Sequence, residues 1–107
     1  NKWDNKKTEE LLNAILALKN QKEAKRFFRD LLTEEEIIEF GKRWQAAQML
    51  DKNISYIEIV RKTGLSSATV ARVAKWLNNG MNGYKLILKR LHHQHNHTNV
   101  SFGKRLC

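Results

Sequence analysis

Proline is absent from these 107 residues, glycine occurs five times, and the single cysteine is the last residue, Cys107. With so little to interrupt a helix, and with Leu, Ile, Ala, Lys, Glu and Gln abundant, the composition predicts an all-α chain. Alternating runs of β-branched residues are missing as well, which argues against a strand-based architecture. No apolar stretch approaches the roughly 20 residues that cross a bilayer. The leading N-K-W-D-N-K-K lacks the apolar core of a signal peptide, so the expectation is a cytoplasmic protein with no membrane association. One cysteine cannot close an intrachain disulfide, in keeping with a reducing compartment. A chain of 107 residues makes one domain near the short end of what a single core supports, a size at which oligomerisation adds stability.

Carboxylates are missing from nearly half of the chain. Residues 1–58 carry 11 Lys+Arg and 11 Asp+Glu, whereas residues 59–107 carry 9 Lys+Arg and no acid, so the second half supplies the whole formal charge of +9. Glu58 is the last carboxylate. A polyanion meeting Arg61, Lys62, Arg72, Lys75, Lys85, Lys89 and Arg90 would find little negative charge to repel it. A basic surface alone can serve solubility; one that begins at a recognisable motif points to nucleic acid.

That motif is S-Y-I-E-I-V-R-K-T-G-L-S-S-A-T-V-A-R-V-A-K-W, residues 55–76. Ile57, Ile59 and Val60 mark the apolar face of one helix, Thr63-Gly64-Leu65-Ser66 turns the chain, and Val70, Val73 and Trp76 or Leu77 mark the face of the next, the pattern of a helix-turn-helix. Gly64 falls where the first helix ends in a left-handed conformation that costs glycine little. Ser55 and Glu58 form an S-x-x-E capping box, and Ser66 or Ser67 caps the second helix. With its apolar side inward, the second helix presents Ser66, Ser67, Ala68, Thr69, Arg72 and Lys75 outward or at its tip, where base edges are reached. Hydroxyls suit any base and the Ala68 and Thr69 methyls suit a thymine methyl, but no bidentate Arg or Asn stands at the tip, implying modest or water-mediated discrimination. An αα-hairpin used only for packing is the competing interpretation, and it predicts a charge-balanced outer face that these residues lack.

Along the rest of the chain, Thr8-Glu9-Glu10 begins a helix carrying Leu11, Leu12, Ile15, Leu16 and Leu18, expected to end near Leu18 or Lys19. Asn20-Gln21-Lys22 makes a weak break before a second helix marked by Ala24, Phe27, Phe28, Leu31 and Leu32. Thr33-Glu34-Glu35-Glu36 is the strongest helix start, a capping box with three carboxylates in the first turn. That third helix carries Ile37, Phe40, Trp44 and Ala47 and ends near Leu50. Asn78-Asn79-Gly80-Met81-Asn82-Gly83 is a turn-rich stop. Tyr84, Ile87, Leu88 and Leu91 make a short last helix, after which residues 92–107 read as a mobile, basic, His-rich tail. No internal repeat is visible.

Two constellations invite chemistry. His92, His93, His95 and His97 form H-H-x-H-x-H, yet no Cys or carboxylate lies nearby to complete a site, so a solvated tail is favoured over a metal centre. Glu34, Glu35, Glu36 and Glu39 are explained by first-turn placement and a solvated face. With no nucleophile and base pair and no phosphate-cradling loop, an enzyme is not expected, and neither is a metal or cofactor.

L-L-T-E-E-E-I-I-E-F-G-K-R-W-Q-A-A-Q-M-L (residues 31–50), I-S-Y-I-E-I-V-R-K-T-G-L-S-S-A-T-V-A-R-V (54–73) and W-L-N-N-G-M-N-G-Y (76–84) together resemble the Trp repressor superfamily, in particular its YerC/YecD-type Trp-repressor-like branch. The resemblance spans residues 11–91, which form the expected helix-turn-helix domain of residues 1–91, and is most specific from Thr63 to Val73. It implies an all-α, intertwined homodimer with one helix-turn-helix per chain, acting as a transcription regulator, with a repressor first in view, on a double-stranded DNA operator. Carried onto this sequence, the corepressor pocket of the Trp repressor would involve Arg72 and either Lys42 or Arg43, depending on the placement of a one-residue gap. Val73 stands where the Trp repressor has glycine, and Trp76 where it has serine. Both departures are expected to fill the pocket with the chain's own side chains, so L-tryptophan is not expected as effector and any small-molecule effector is unknown. The alternatives are a weakly specific DNA-binding module and a protein-interaction module on the same scaffold.

Overall fold

The computed structural model describes the backbone of residues 2–106 and the side chains of residues 2–94. Six helices and no strand occur among the described residues: α1 (Lys6–Leu16), α2 (Gln21–Leu31), α3 (Glu34–Asp51), α4 (Tyr56–Thr63), α5 (Ser67–Asn79) and α6 (Gly83–Leu106). The chain divides into two compact units, residues 1–39 and 40–107.

In the first unit each helix is started by an amide or hydroxyl cap. Asn5 accepts from the Thr8 amide at 3.0 Å and Asn20 from the Glu23 amide at 2.9 Å, which satisfies orphan donors of the first turns. Both starts lie upstream of the sequence expectation: Thr8 sits in the first turn of α1 instead of opening it, and Asn20 caps α2 where the pattern predicts a weak break. The box that opens α3 is complete, with the Thr33 amide donating to Glu36 at 2.9 Å and the Glu36 amide donating to Thr33 at 3.1 Å. Phe27 and Phe28 meet edge to face with centroids 5.7 Å apart. No residue of α1 or α2 is buried, and Leu16 is 81% exposed. Leu11, Ile15, Phe27 and Phe28 are half-buried, whereas Leu12, Leu16 and Leu31 stay exposed.

The second unit holds the core. Ala46, Ala47 and Met49 of α3, Ile59 of α4, Leu65 of the turn, and Val70 and Val73 of α5 form one buried cluster, flanked by the partly buried Trp44, Leu50, Ile54, Val60 and Tyr84. Small residues at 46 and 47 let α3 lie close to the helix-turn-helix, and Ile59 and Val70 are the largest side chains fully excluded from water. Two apolar assignments need correction. Ile57 is 82% exposed, because it flanks the buried Ile59 on the opposite side of a short helix, and Leu77, not Trp76, completes the inner face of α5. The last helix does not stop at Leu91. With neither proline nor glycine between Gly83 and Gly103, nothing breaks its hydrogen-bond ladder and helical backbone runs to Leu106. The side chains of His95 and His97, and those of the expected tail beyond them, lie outside the described residues.

Candidate nucleic-acid interface

The start of α4 is fixed by Ser55, whose hydroxyl accepts from the Glu58 amide at 3.3 Å. The reciprocal half of the expected box is not made: the Glu58 carboxylate turns forward to Arg61 and Lys62. The hydrogen bond from Arg61, aided by the charges of Arg61 and Lys62, holds the Glu58 carboxyl below its ordinary range.

At the other end of α4, Gly64 adopts φ 78° and its amide closes on the Val60 carbonyl at 2.9 Å, the left-handed stop that its position in the sequence predicts. The neighbouring Thr63 is the buried polar residue of the described core. Its hydroxyl donates to the Ile59 carbonyl at 2.7 Å and accepts from the Leu65 amide at 3.1 Å. Leu65 is thereby directed into the core, and the chain emerges at Ser66 aimed along the axis of α5. In the sequence Thr63 reads only as part of the turn, and its signal is a β-branched hydroxyl directly before a stop glycine. Lys42 of α3 also borders this turn, with its Nζ 3.7 Å from where a Cβ on Gly64 would lie.

Ser66, not Ser67, caps α5: it accepts from the Thr69 amide at 3.1 Å and donates to the Thr69 hydroxyl oxygen at 3.0 Å. Val70, Val73, Ala74 and Leu77 are buried, which leaves Ser67, Ala68, Arg72 and Lys75 on the exposed side. Thr69 is half-buried at the boundary, its hydroxyl proton still free to donate. The helix thus brings Ser66, Ser67, Ala68 and Thr69 to one end and sets the two cations along the same outward side, one or two turns further on. Lys75 leans over the Trp76 ring, with Nζ 5.5 Å from its centroid.

The residues expected around an effector differ in burial and in neighbours. Val73 is 3% exposed and belongs to the core. Trp76, one residue and about 100° round the helix from Leu77, is 50% exposed. Instead of filling a pocket, its indole forms one wall of an open groove of about 710 Å³ lined by Trp44, Met81, Tyr84, Ile87 and Leu91. Trp44 and Tyr84 stack on its floor. Lys42 lies against the turn, whereas the Arg43 guanidinium sits over the Phe40 ring at 5.9 Å. Among the described residues no group of three His, Cys, Asp or Glu is placed to hold a metal ion, and no helix is long and apolar enough to cross a membrane.

The Trp repressor protein family matches this chain over residues 6–92. Among curated proteins, the uncharacterized protein YerC of Bacillus subtilis strain 168 is 41% identical over 86 residues, covering 80% of this chain and 83% of YerC. Among solved structures, a TrpR-like protein from Eubacterium eligens ATCC 27750 superposes with a TM-score of 0.82 at 41% identity, covering 85% of this chain and 94% of its own. A Staphylococcus aureus protein described as a candidate Trp repressor gives a TM-score of 0.80 at 37% identity, with 85% and 91% covered.

Proposed function

The chain belongs to the Trp repressor family, a fold family of DNA-binding regulators and not of enzymes, and from that premise we propose that it is a homodimeric, sequence-specific transcription regulator. In this reading α5 enters the major groove with Ser66 capping its tip, the ends of Ser67, Ala68 and Thr69 meet base edges, and Arg72 and Lys75 meet phosphates. The observation that carries it is the capped, outward-facing tip of α5 in a half of the chain that holds no carboxylate after Glu58. Hydroxyls and methyls at the tip favour readout partly through bridging water, which gives preference without a rigid code.

Dimerisation is the second part of the proposal. Exposed Leu12, Leu16 and Leu31 of α1 and α2 and the apolar groove around Trp76 are surfaces that a second copy would cover at no cost in new sequence. A dimer would also set two copies of α5 against half-sites about one helical turn apart. L-tryptophan is not the effector in this reading, since Val73, standing where the Trp repressor has glycine, is packed into the core.

Selection of bound sequences from random duplexes tests the whole proposal. A recovered palindrome, bound with an affinity that falls steeply with salt, is the expected result. Salt-dependent binding with no enriched sequence would favour the weakly specific DNA-binding module, and the absence of salt-dependent duplex binding the protein-interaction module.

A further inference from the structure

Glu58 is the single acidic residue of the helix-turn-helix and the last of the chain. Its two oxygens are shared out between neighbouring cations on α4. Oε1 accepts from Arg61 Nε at 3.2 Å, Oε2 accepts from Arg61 Nη2, and Lys62 Nζ lies 3.9 Å from the same Oε2. Arg61 and Lys62 are well exposed, with side chains 67% and 54% accessible, while Glu58 at 36% is tucked between them. The two-point contact uses the planar fork with which a guanidinium would otherwise grip a phosphate. In the docking geometry of a helix-turn-helix, the first helix crosses the sugar-phosphate backbone, which is where Arg61 and Lys62 would act.

We propose that Glu58 acts as an internal counterion that withholds Arg61 and Lys62 from phosphate, and so holds down the sequence-independent part of DNA binding. The inference rests on the DNA-binding reading above. Its physical basis is that non-specific affinity comes almost wholly from phosphates neutralised by free cations, each adding about 0.9 to the slope of log affinity against log salt. A cation that already has a carboxylate partner contributes less, since docking must first break that pair. Contacts to bases from the tip of α5 do not involve Glu58, so its removal acts on the phosphate term alone. Surface ion pairs contribute little to folding, which leaves phosphate-driven DNA affinity as the larger effect of this one.

The test compares the full-length chain with Glu58→Gln, which keeps the side-chain length and the amide that Ser55 caps. Affinity for a random-sequence duplex is measured across a salt series. Glu58→Gln should bind it roughly tenfold more tightly near 0.1 M salt, with a slope steeper by about 1 to 2. Adding Arg61→Ala to that variant should remove most of the gain. Should Glu58→Gln not fold, Arg61→Ala in the parent chain decides the matter: it should flatten the slope far less than Lys75→Ala, whose cation has no carboxylate partner among the described residues. Equal slopes for the parent and Glu58→Gln, or equal losses from Arg61→Ala and Lys75→Ala, would overturn the role of Glu58. A parent chain with no salt-dependent duplex binding would instead overturn the DNA reading beneath it.

Discussion

The Thr63 hydroxyl and the Leu65 amide are joined by a buried hydrogen bond of 3.1 Å that spans the stop glycine of the helix-turn-helix. The same hydroxyl donates back to Ile59, so one side chain ties the end of α4 to the first residue after the turn. Thr63→Val keeps the shape but leaves the Leu65 amide without its acceptor in the core. We expect a loss of about 1 to 3 kcal/mol, read as a lower urea midpoint with an unchanged slope. An unaltered midpoint would show that the amide finds water.

Two glycines should respond to alanine for different reasons. At Gly64 an added Cβ meets only Lys42 Nζ, at an ordinary 3.7 Å, so the cost is that of the left-handed backbone, about 1 kcal/mol. At Gly80 a Cβ would drive into the Trp76 backbone, with its Cα 3.2 Å away, and the last turn of α5 would have to move. Thermal unfolding should rank Gly80→Ala below Gly64→Ala, and a reversed order would contradict the steric account.

On α5, capping and readout fall on adjacent serines. Ser66→Ala removes the acceptor for the Thr69 amide and should cost about 1 kcal/mol of stability. Ser67→Ala should leave stability within about 0.5 kcal/mol and act on base preference. Thr69→Ala should likewise relax preference, whereas Lys75→Ala should weaken all duplexes alike and flatten the salt slope by about 0.9. Binding selections run on the four variants separate these roles; uniform weakening by Thr69→Ala would reverse them.

The exposed stripes of α1 and α2 lead to an expected homodimer whose interface exceeds about 1,000 Å². Light scattering at micromolar concentration should return twice the chain mass of 12.6 kDa. A stable monomer would leave Leu12, Leu16 and Leu31 without a reason to be apolar.

Calorimetric titration with L-tryptophan should show no saturable heat, and its addition should leave duplex affinity unchanged. Val73 is packed into the core and cannot clear space for a ligand without a cost of roughly 1 to 3 kcal/mol for crowding its neighbours. Micromolar binding would mean that the groove beside Trp76 admits the indole from its open side.

Much of this protein is legible in one dimension because its signals are local. The lack of proline, the Thr33 and Glu36 box, the Ser55 cap and the stop at Gly64 each act within four residues, and the helices begin and end at or near where those residues stand. Charge is equally plain in the sequence, since the position of the last carboxylate needs no coordinates. What tertiary structure decided is which of several chemically suitable groups takes each role. Ser66 prevails over Ser67 as cap because the turn delivers its hydroxyl to the Thr69 amide. Leu77 goes inside and Trp76 out because a helix cannot turn both toward one small core. Glu58 faces two cations and not its own helix start because Arg61, one turn ahead, offers two donors where the Ser55 amide offers one. Competition among near neighbours is settled by three-dimensional reach, and linear spacing does not contain it.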